Sequence, residues 1–301
     1  MNNEDLKRIE QFQMVDIFKF ICAILVVSYH VQPWRYFDGI VAEVCNAISN
    51  TGVVYFFIIS GFLLGRKTEF ADFNNAIKKQ IKRLVTLWII WEVIYILFIF
   101  LGGGFYKSII KTLLKNFVLG SYGHLWYLRA SAVGLVIIYC FLKKKQFKLL
   151  YVFSGFCLAI GLYGINIYSS SNSTIIESVI DFCNIFRSGI FLGLPCITIG
   201  IIISRCEDII MQINFKVMFG LNAIAFTLYL LEFQKYNGQL TLFLIIFITL
   251  FVLLITQVKF SFNFSTEGLR KMSTMIYLIH YAVFCVVFHT VRRGWQINIV
   301  V

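Results

Sequence analysis

The first long apolar stretch of the chain carries three side chains that could take part in acid–base chemistry. Asp16 and Lys19 stand near its beginning, and His30 follows Lys19 after ten intervening residues. In an α-helix, eleven positions make about three turns and roughly 16 Å of axial rise, so Lys19 and His30 project from nearly the same face. An imidazole exchanges a proton near neutral pH, which makes His30 a candidate general base. The structural alternative is that Lys19 reaches the inner interface and His30 caps the outer end.

Further polar side chains lie within or beside later apolar stretches. Glu92 is the lone acid of the segment WIIWEVIY, and Arg129 follows five residues after His124. Ionisable residues are costly in hydrocarbon and usually face a protein interior or a wet cavity. An aromatic belt at the membrane interface accounts for Trp126. A single buried histidine is more often a packing residue than a ligand. We nevertheless expect these side chains to line a site: His124, Trp126, Arg129, Arg187, Glu92 and His280.

A basic cluster precedes the third apolar stretch. Lys79, Lys82 and Arg83 stand close together, directly before the segment 84–101. Residues of this kind often do no more than mark the cytoplasmic side of a membrane protein. Their alternative role is a cradle for a phosphate-bearing ligand that arrives from the cytoplasm.

The composition predicts that these residues belong to a membrane protein. Hydrophobic residues make up 59% of the 301 positions and charged residues 14%, whereas a soluble domain carries about 25% charged residues. A membrane-crossing helix needs about 20 mostly apolar residues. Nine stretches qualify, and the terminal QINIVV resembles the beginning of a tenth: 15–32, 47–65, 84–101, 125–142, 149–166, 186–204, 215–233, 240–257 and 273–291. We therefore predict an all-α fold, a polytopic helical bundle of nine to ten transmembrane helices that forms a single domain over residues 1–301.

The distribution of basic residues predicts the orientation of this bundle. With the N-terminus in the cytoplasm, 17 Lys and Arg residues fall in cytoplasmic segments and 8 in outer segments. This bias agrees with the positive-inside rule and predicts a cytoplasmic N-terminus. Lys107, Lys111 and Lys115 run against the rule, and their spacing is typical of an amphipathic helix on the outer surface.

Two other classes of site are disfavoured. The net charge of +12 could suggest nucleic acid, but the basic residues are confined to short clusters between apolar runs. The eight cysteines show neither a CxxC pair nor the Cys/His spacing of a metal site. We expect no nucleic-acid partner, no metal and no tightly bound cofactor, whereas the lipid bilayer is a necessary partner.

Five short motifs, in order along the chain, resemble the acyltransferase-3 family of multi-span membrane acyltransferases. The first is Lys19, ten residues and His30, preceded by the acidic Asp16. The others are FFIISGFLL in the second stretch, Lys79-x-x-Lys82, the segment HLWYL and the segment YLIH that ends at His280. Lysines stand here where the family more often has arginines. The ordered match extends over nearly the whole chain.

This resemblance implies a donor, an acceptor and roles for the residues. In the family, an acyl-CoA, usually acetyl-CoA, donates from the cytoplasm to a hydroxyl of an extracytoplasmic envelope glycan or related acceptor. His30 would then be the general base, with Asp16 and Lys19 nearer the donor. The basic cluster would hold the phosphates of CoA, and the remaining site residues would orient the acceptor. The implied location is the bacterial cytoplasmic membrane.

The chain also resembles the membrane domain of the VanT-type serine racemases of glycopeptide-resistant bacteria. This likeness rests on the segments HLWY and RSGIF and on the length. It implies a transporter-like domain that handles serine, and it keeps a small polar acceptor such as an amino acid open. The sequence carries no racemase half. Its tenth apolar stretch is cut short, as expected of a shortened chain. The acceptor and the oligomeric state stay open at this point.

Overall fold

The computed structural model describes residues 3–37, 39–66, 70–101, 125–170, 189–235, 241–258, 262 and 265–292. Within these ranges the regular elements are helical and no strand occurs, which confirms the predicted all-α fold. A 3-10 turn covers Pro33–Tyr36, and a π turn covers Gly189–Gly193. The α-helices are α1 (Asn3–Val31), α2 (Ile40–Asn50), α3 (Gly52–Gly65), α4 (Phe70–Leu101), α5 (Trp126–Lys143), α6 (Phe147–Ser170), α7 (Leu194–Arg205), α8 (Glu207–Ile210), α9 (Phe215–Lys235), α10 (Leu242–Gln257) and α11 (Glu267–Arg292).

The length and apolar character of these helices are those of an integral membrane protein. In the described part of the chain, four helical segments are long and apolar enough to cross a membrane: Gln13–Val31, Ile40–Gly65, Trp126–Lys143 and Phe215–Lys235. Three shorter apolar segments coincide with other predicted stretches: Phe147–Tyr163, Gly189–Arg205 and Leu242–Gln257. Large apolar side chains such as Phe156 and Ile224 are exposed on the outside of the bundle, as contact with lipid requires.

Helices α1 and α11 lie side by side and run in the same direction. At the N-terminal end of α11, the Thr266 hydroxyl donates to the Asp16 carboxylate of α1 at 3.2 Å. In their C-terminal halves, the rings of His30 and His280 stack with centroids 5.3 Å apart. The residues of the first apolar stretch that could do chemistry therefore lie along the contact with α11, which we call the α1–α11 seam.

Helices α3 and α7 cross at very close range because each presents glycine to the other. A Cβ atom at Gly61 would overlap the Ile197 carbonyl oxygen, and one at Gly200 would overlap the Ile58 carbonyl oxygen. In lipid, helix association depends on packing of this kind, and small residues let the backbones approach. Gly61 and Gly65 form the small-xxx-small pattern that typically marks such a contact.

Two helices begin earlier than the apolar stretches that predicted them. The helix of the third stretch begins at Phe70, so the basic cluster occupies its early turns. The second stretch is continued backwards by α2 across a break at Thr51. There the Thr51 N–H bonds to the Ile48 carbonyl at 3.1 Å, which frees the carbonyl of Ala47. The Tyr229 hydroxyl on α9 donates to that freed carbonyl at 2.8 Å, so the carbonyl of Ala47 keeps a hydrogen-bond partner.

The glycine crossing can be tested by adding a single methyl group. We expect Gly61→Ala to force α3 away from α7 and to lower the free energy of unfolding by about 1–3 kcal/mol, as overpacking does. Thermal unfolding of the purified protein in detergent measures this loss. Gly220→Ala on α9 is the matched control, because a Cβ atom there meets nothing within 4 Å. Equal unfolding temperatures for the two variants would contradict the close crossing.

Candidate functional site

The N-terminal end of the α1–α11 seam is built around a buried carboxylate. Asp16 is 5% exposed, and it accepts a hydrogen bond from Thr266. The Arg270 guanidinium lies 4.0 Å from the same carboxylate. Glu267 lies one helical turn before Arg270, at 3.9 Å from it. Burial of a carboxylate is costly without partners, and α11 supplies both of these.

Lys19 lies one turn further along the same seam. Its backbone carbonyl accepts a hydrogen bond from the Ser273 hydroxyl at 3.0 Å, which fixes the register of α1 against α11. Its ammonium group lies within electrostatic range of Asp16, Arg270 and Arg83. Lys19 therefore belongs to a mixed-charge cluster to which three helices contribute, rather than pointing out into lipid.

The C-terminal end of the seam holds two imidazoles in contact. The planes of the His30 and His280 rings make an angle of 27°, and Tyr281 approaches both rings edge-on at 6.4 Å. The Nδ1 atom of His280 lies 2.7 Å from the Tyr277 carbonyl oxygen. Because a carbonyl only accepts, Nδ1 carries the proton, and Nε2 of the neutral ring is an acceptor. His280 is thus fixed by its own helix, whereas His30 is exposed beside it.

An aromatic cluster flanks the seam on the side of α4 and α5. The Tyr95 hydroxyl of α4 donates to the Leu278 carbonyl of α11 at 2.7 Å. The ring of Tyr127 on α5 lies 5.6 Å from that of Tyr277 and 4.7 Å from that of Phe57. These contacts close the interior on the His280 side of the imidazole pair with apolar and phenolic surface. Trp126, which the sequence predicted as a site residue, packs 5.9 Å from Phe57 on the edge of this cluster.

Glu92 on α4 lies within electrostatic range of Arg129 on α5. Glu92 is only 2% exposed, and Arg129 is partly buried. The charge of Glu92 acts on the Arg129 guanidinium, which satisfies the requirement that a lone acid in a span has a basic partner. Glu92 lies one helical turn before Tyr95, which connects α4 to the α1–α11 seam.

The predicted donor-binding residues lie on the exposed face of α4, in the N-terminal half of the helix. Lys79, Lys82 and Arg83 are all exposed, and Arg83 shares its helix face with the exposed Ile90 seven residues later. Such a face suits the membrane interface as well as a ligand. Arg83 also acts electrostatically on Lys19, so the basic end of α4 lies beside the charged end of the seam.

Several site residues stand outside these observations. His124 and Arg187, both predicted to line the site, lie outside the described residues. Thr266, Arg270 and Ser273 belong to the seam but are not among the predicted site residues. Arg270 is one of the 17 basic residues that the orientation count assigns to cytoplasmic segments. The useful indication was their spacing of four and three residues, which places all three on one face of a helix. Within the described residues, no group of three metal-ligating side chains occurs.

The family of the chain is shown by the match of nearly its whole length to one family model. Residues 13–301 match the model of the acyltransferase-3 family, whose description is an acyltransferase domain. The chain belongs to the acyltransferase-3 family. The match includes both sides of the α1–α11 seam, the basic end of α4 and the aromatic cluster. The family assignment predicted from the five motifs is therefore confirmed.

The relatives that match this chain are named as racemases. An "Amino-acid racemase" from Enterococcus faecalis is 25% identical over 297 residues, which cover 93% of this chain. A "Serine/alanine racemase" from Enterococcus gallinarum is 27% identical over 212 residues, which cover 64% of this chain. These alignments cover only 42% and 29% of the two relatives, so the chain spans less than half of their length. No solved structure matches the chain.

The pairing of Glu92 with Arg129 can be measured with a double-mutant cycle. We expect Glu92→Gln or Arg129→Gln alone to destabilise the protein by up to about 3 kcal/mol, because each leaves a buried charge without its counterpart. The double variant should lose less than the sum of the two. Glu267→Gln with Lys271→Gln is the control cycle, since this exposed pair should couple only weakly. Strict additivity at Glu92 and Arg129 would exclude a direct pairing.

Proposed function

We propose that this protein transfers an acyl group, with acetyl as the expected group, from cytoplasmic acyl-CoA to a hydroxyl on the outer side of the membrane. The observation that carries the proposal is the α1–α11 seam, which has a mixed-charge cluster at one end and two imidazoles at the other. A charged donor and a neutral acceptor hydroxyl need different surroundings, and the two ends of the seam supply them. Membership of the acyltransferase-3 family supports the same reaction class.

The relative directions of the packed helices agree with an alternating bundle of nine spans, whereas the proposed cytoplasmic N-terminus rests on the basic residues. In an alternating bundle, the first and ninth spans run parallel, as do the second and sixth. Helices α1 and α11 are parallel, and so are α3 and α7, where Gly61 meets Ile197 and Gly65 meets Ser204. The third and fourth spans should run antiparallel. They do so, because Lys78 contacts Tyr139 while Glu92 lies near Arg129. The excess of basic residues then places the charged end of the seam on the cytoplasmic side.

His30 acts as the general base in this mechanism. A ring nitrogen of His30 takes the proton of the acceptor hydroxyl while the oxygen attacks the thioester carbonyl. The C–S bond then breaks, and the departing thiolate receives the proton from the imidazolium, so that an ester and a thiol are formed. His280 acts as a positioning residue, because its Nδ1 bond to the Tyr277 carbonyl fixes the ring against which His30 stacks.

The charged end of the seam receives the donor. Lys79, Lys82 and Arg83 present three cations at the cytoplasmic end of α4, and the phosphates of CoA are the matching anions. Lys19 lies next to this group and within the seam. Asp16 holds Lys19 in place by charge, and Thr266 in turn orients Asp16. The thioester then reaches toward His30 along the seam.

The acceptor approaches from the opposite side, which we assign to the outside of a bacterial cytoplasmic membrane. Aromatic rings near the imidazoles, among them Tyr281 and Tyr29, form surfaces on which a sugar ring stacks. Glu92 and Arg129 contribute polar groups deeper in the bundle. An envelope glycan or a related polar hydroxyl compound fits these surroundings.

Loss of the imidazole at position 30 tests the role of His30. We expect His30→Ala to reduce transfer from radiolabelled acetyl-CoA into envelope material by at least about 100-fold, the scale of general-base catalysis. CoA should still bind, because its phosphates lie at the other end of the seam. Tyr29→Phe is the control on the adjacent residue, and His280→Phe should retain stacking with partial activity. Undiminished transfer by His30→Ala would remove His30 from the catalytic role.

A second candidate function is the handling of serine by a transporter-like domain. It is favoured by the names of the relatives, which are racemases acting on amino acids and on serine or alanine. In that case the seam would bind the amino acid itself, and CoA would have no site.

Ligand-induced stabilisation separates the two functions. We expect acetyl-CoA at 100 times its Kd to stabilise the purified protein by about 2.7 kcal/mol, and L-serine alone to leave thermal unfolding unchanged. A shift with L-serine and none with acetyl-CoA would favour the transporter. D-glucose, which has hydroxyls but neither phosphate nor an amino group, is the control ligand.

A further inference from the structure

Positive charge accumulates where α1, α4 and α11 meet. Lys19 comes from α1, Arg83 from α4 and Arg270 from α11, and both arginines act on the Lys19 ammonium. Three like charges brought together from three helices repel each other, and this repulsion requires anions to offset it. The cluster therefore requires negative charge nearby, at the cytoplasmic end of the seam.

The carboxylates among the described residues offset only part of this positive charge. Asp16 is the one that lies within range of Lys19 and Arg270 together. Glu267 contacts the Lys271 ammonium at 2.9 Å and lies 3.9 Å from Arg270, so its charge is divided between two cations. Thus, in the described ranges, two carboxylates stand against four cations, namely Lys19, Arg83, Arg270 and Lys271. An anion with more than one negative charge would complete the balance.

Arg270 is placed to meet such an anion. Its guanidinium stands 4.0 Å from Asp16 and 3.9 Å from Glu267, and both distances are longer than a hydrogen bond. Its side chain is 52% exposed. The two carboxylates thus orient the planar group electrostatically while its N–H donors stay available. A guanidinium in this state is well suited to bidentate binding of phosphate.

We propose that Arg270 binds a phosphate group of the acyl donor, so that α11 completes a phosphate site begun by α4 and α1. This inference rests on the proposed acyl-CoA reaction and adds a residue that none of the family-like motifs contains. Anionic lipid headgroups carry the same phosphate chemistry. CoA is favoured because Arg270 is tied through Asp16 to Lys19 inside the seam, whereas a headgroup would need only the exposed face of α4.

Calorimetric titration of the purified protein in phosphatidylcholine nanodiscs tests the proposal. The two ligands are CoA and pantetheine, which has the same thiol arm without any phosphate. We expect Arg270→Gln to weaken CoA binding about tenfold, the loss of one charge-assisted contact. Its affinity for pantetheine should equal that of the wild type, and Arg270→Lys should lose less than Arg270→Gln. Lys271→Gln is the matched control, because the Lys271 ammonium already forms an ion pair with Glu267.

The possible failures are distinguishable. Equal CoA affinity in wild type and Arg270→Gln would overturn the inference and leave the proposed function standing. A wild type that binds no CoA would overturn the proposed function and the inference with it. Equal weakening of CoA and pantetheine would reveal a structural role only. If phosphatidylglycerol in the nanodisc binds to wild type but not to Arg270→Gln, with CoA affinity unchanged, the phosphate belongs to a lipid and the inference is wrong.

Discussion

The cost of placing polar groups in hydrocarbon governs how α1 packs against α11. Groups that cannot reach water must find partners within the protein. The Asp16 carboxylate finds Thr266 and Arg270, and the Ser273 hydroxyl finds the carbonyl of Lys19. Every one of these contacts joins the two helices. Neither helix can slide or rotate against the other without leaving a polar group without its partner, so the positions of Lys19 and His30 along the seam are set together.

The same constraint extends through the helices that surround the seam. Tyr95 fixes α4 to α11 through the Leu278 carbonyl, and Tyr229 supplies the hydrogen bond that the break at Thr51 removes. Where no polar group is available, as at the crossing of Gly61 with α7, close backbone contact provides the attraction. The imidazole pair therefore lies between helices whose relative positions are set by these contacts.

Helix geometry made part of the site predictable. Lys19 and His30 share a face because eleven residues make three turns in any α-helix, and that prediction needed no tertiary information. The stacking of His30 on His280 could not be predicted this way, because 250 residues separate them and nothing local sets the register of α1 against α11. Arg270 was hidden for a different reason. A basic residue before an apolar stretch also marks membrane orientation, and only the contact with Asp16 distinguishes the two roles.

The residues of the seam between its two ends bear on the choice between the two proposed functions. Cys22 and Val26 of α1 and Tyr277 of α11 are buried in the interval between Lys19 and His30. This interval spans about 16 Å along the axis of α1. Transfer of a charged phosphate group or a zwitterion across apolar surroundings is costly, whereas a flexible arm that carries a thioester loses far less hydration. The arrangement thus favours a donor that keeps its charges at Lys19 and Arg270 and extends only its acyl end to His30. A serine carrier would have to bring both charges of its substrate through the same interval, and α1 carries no charged side chain between Lys19 and His30.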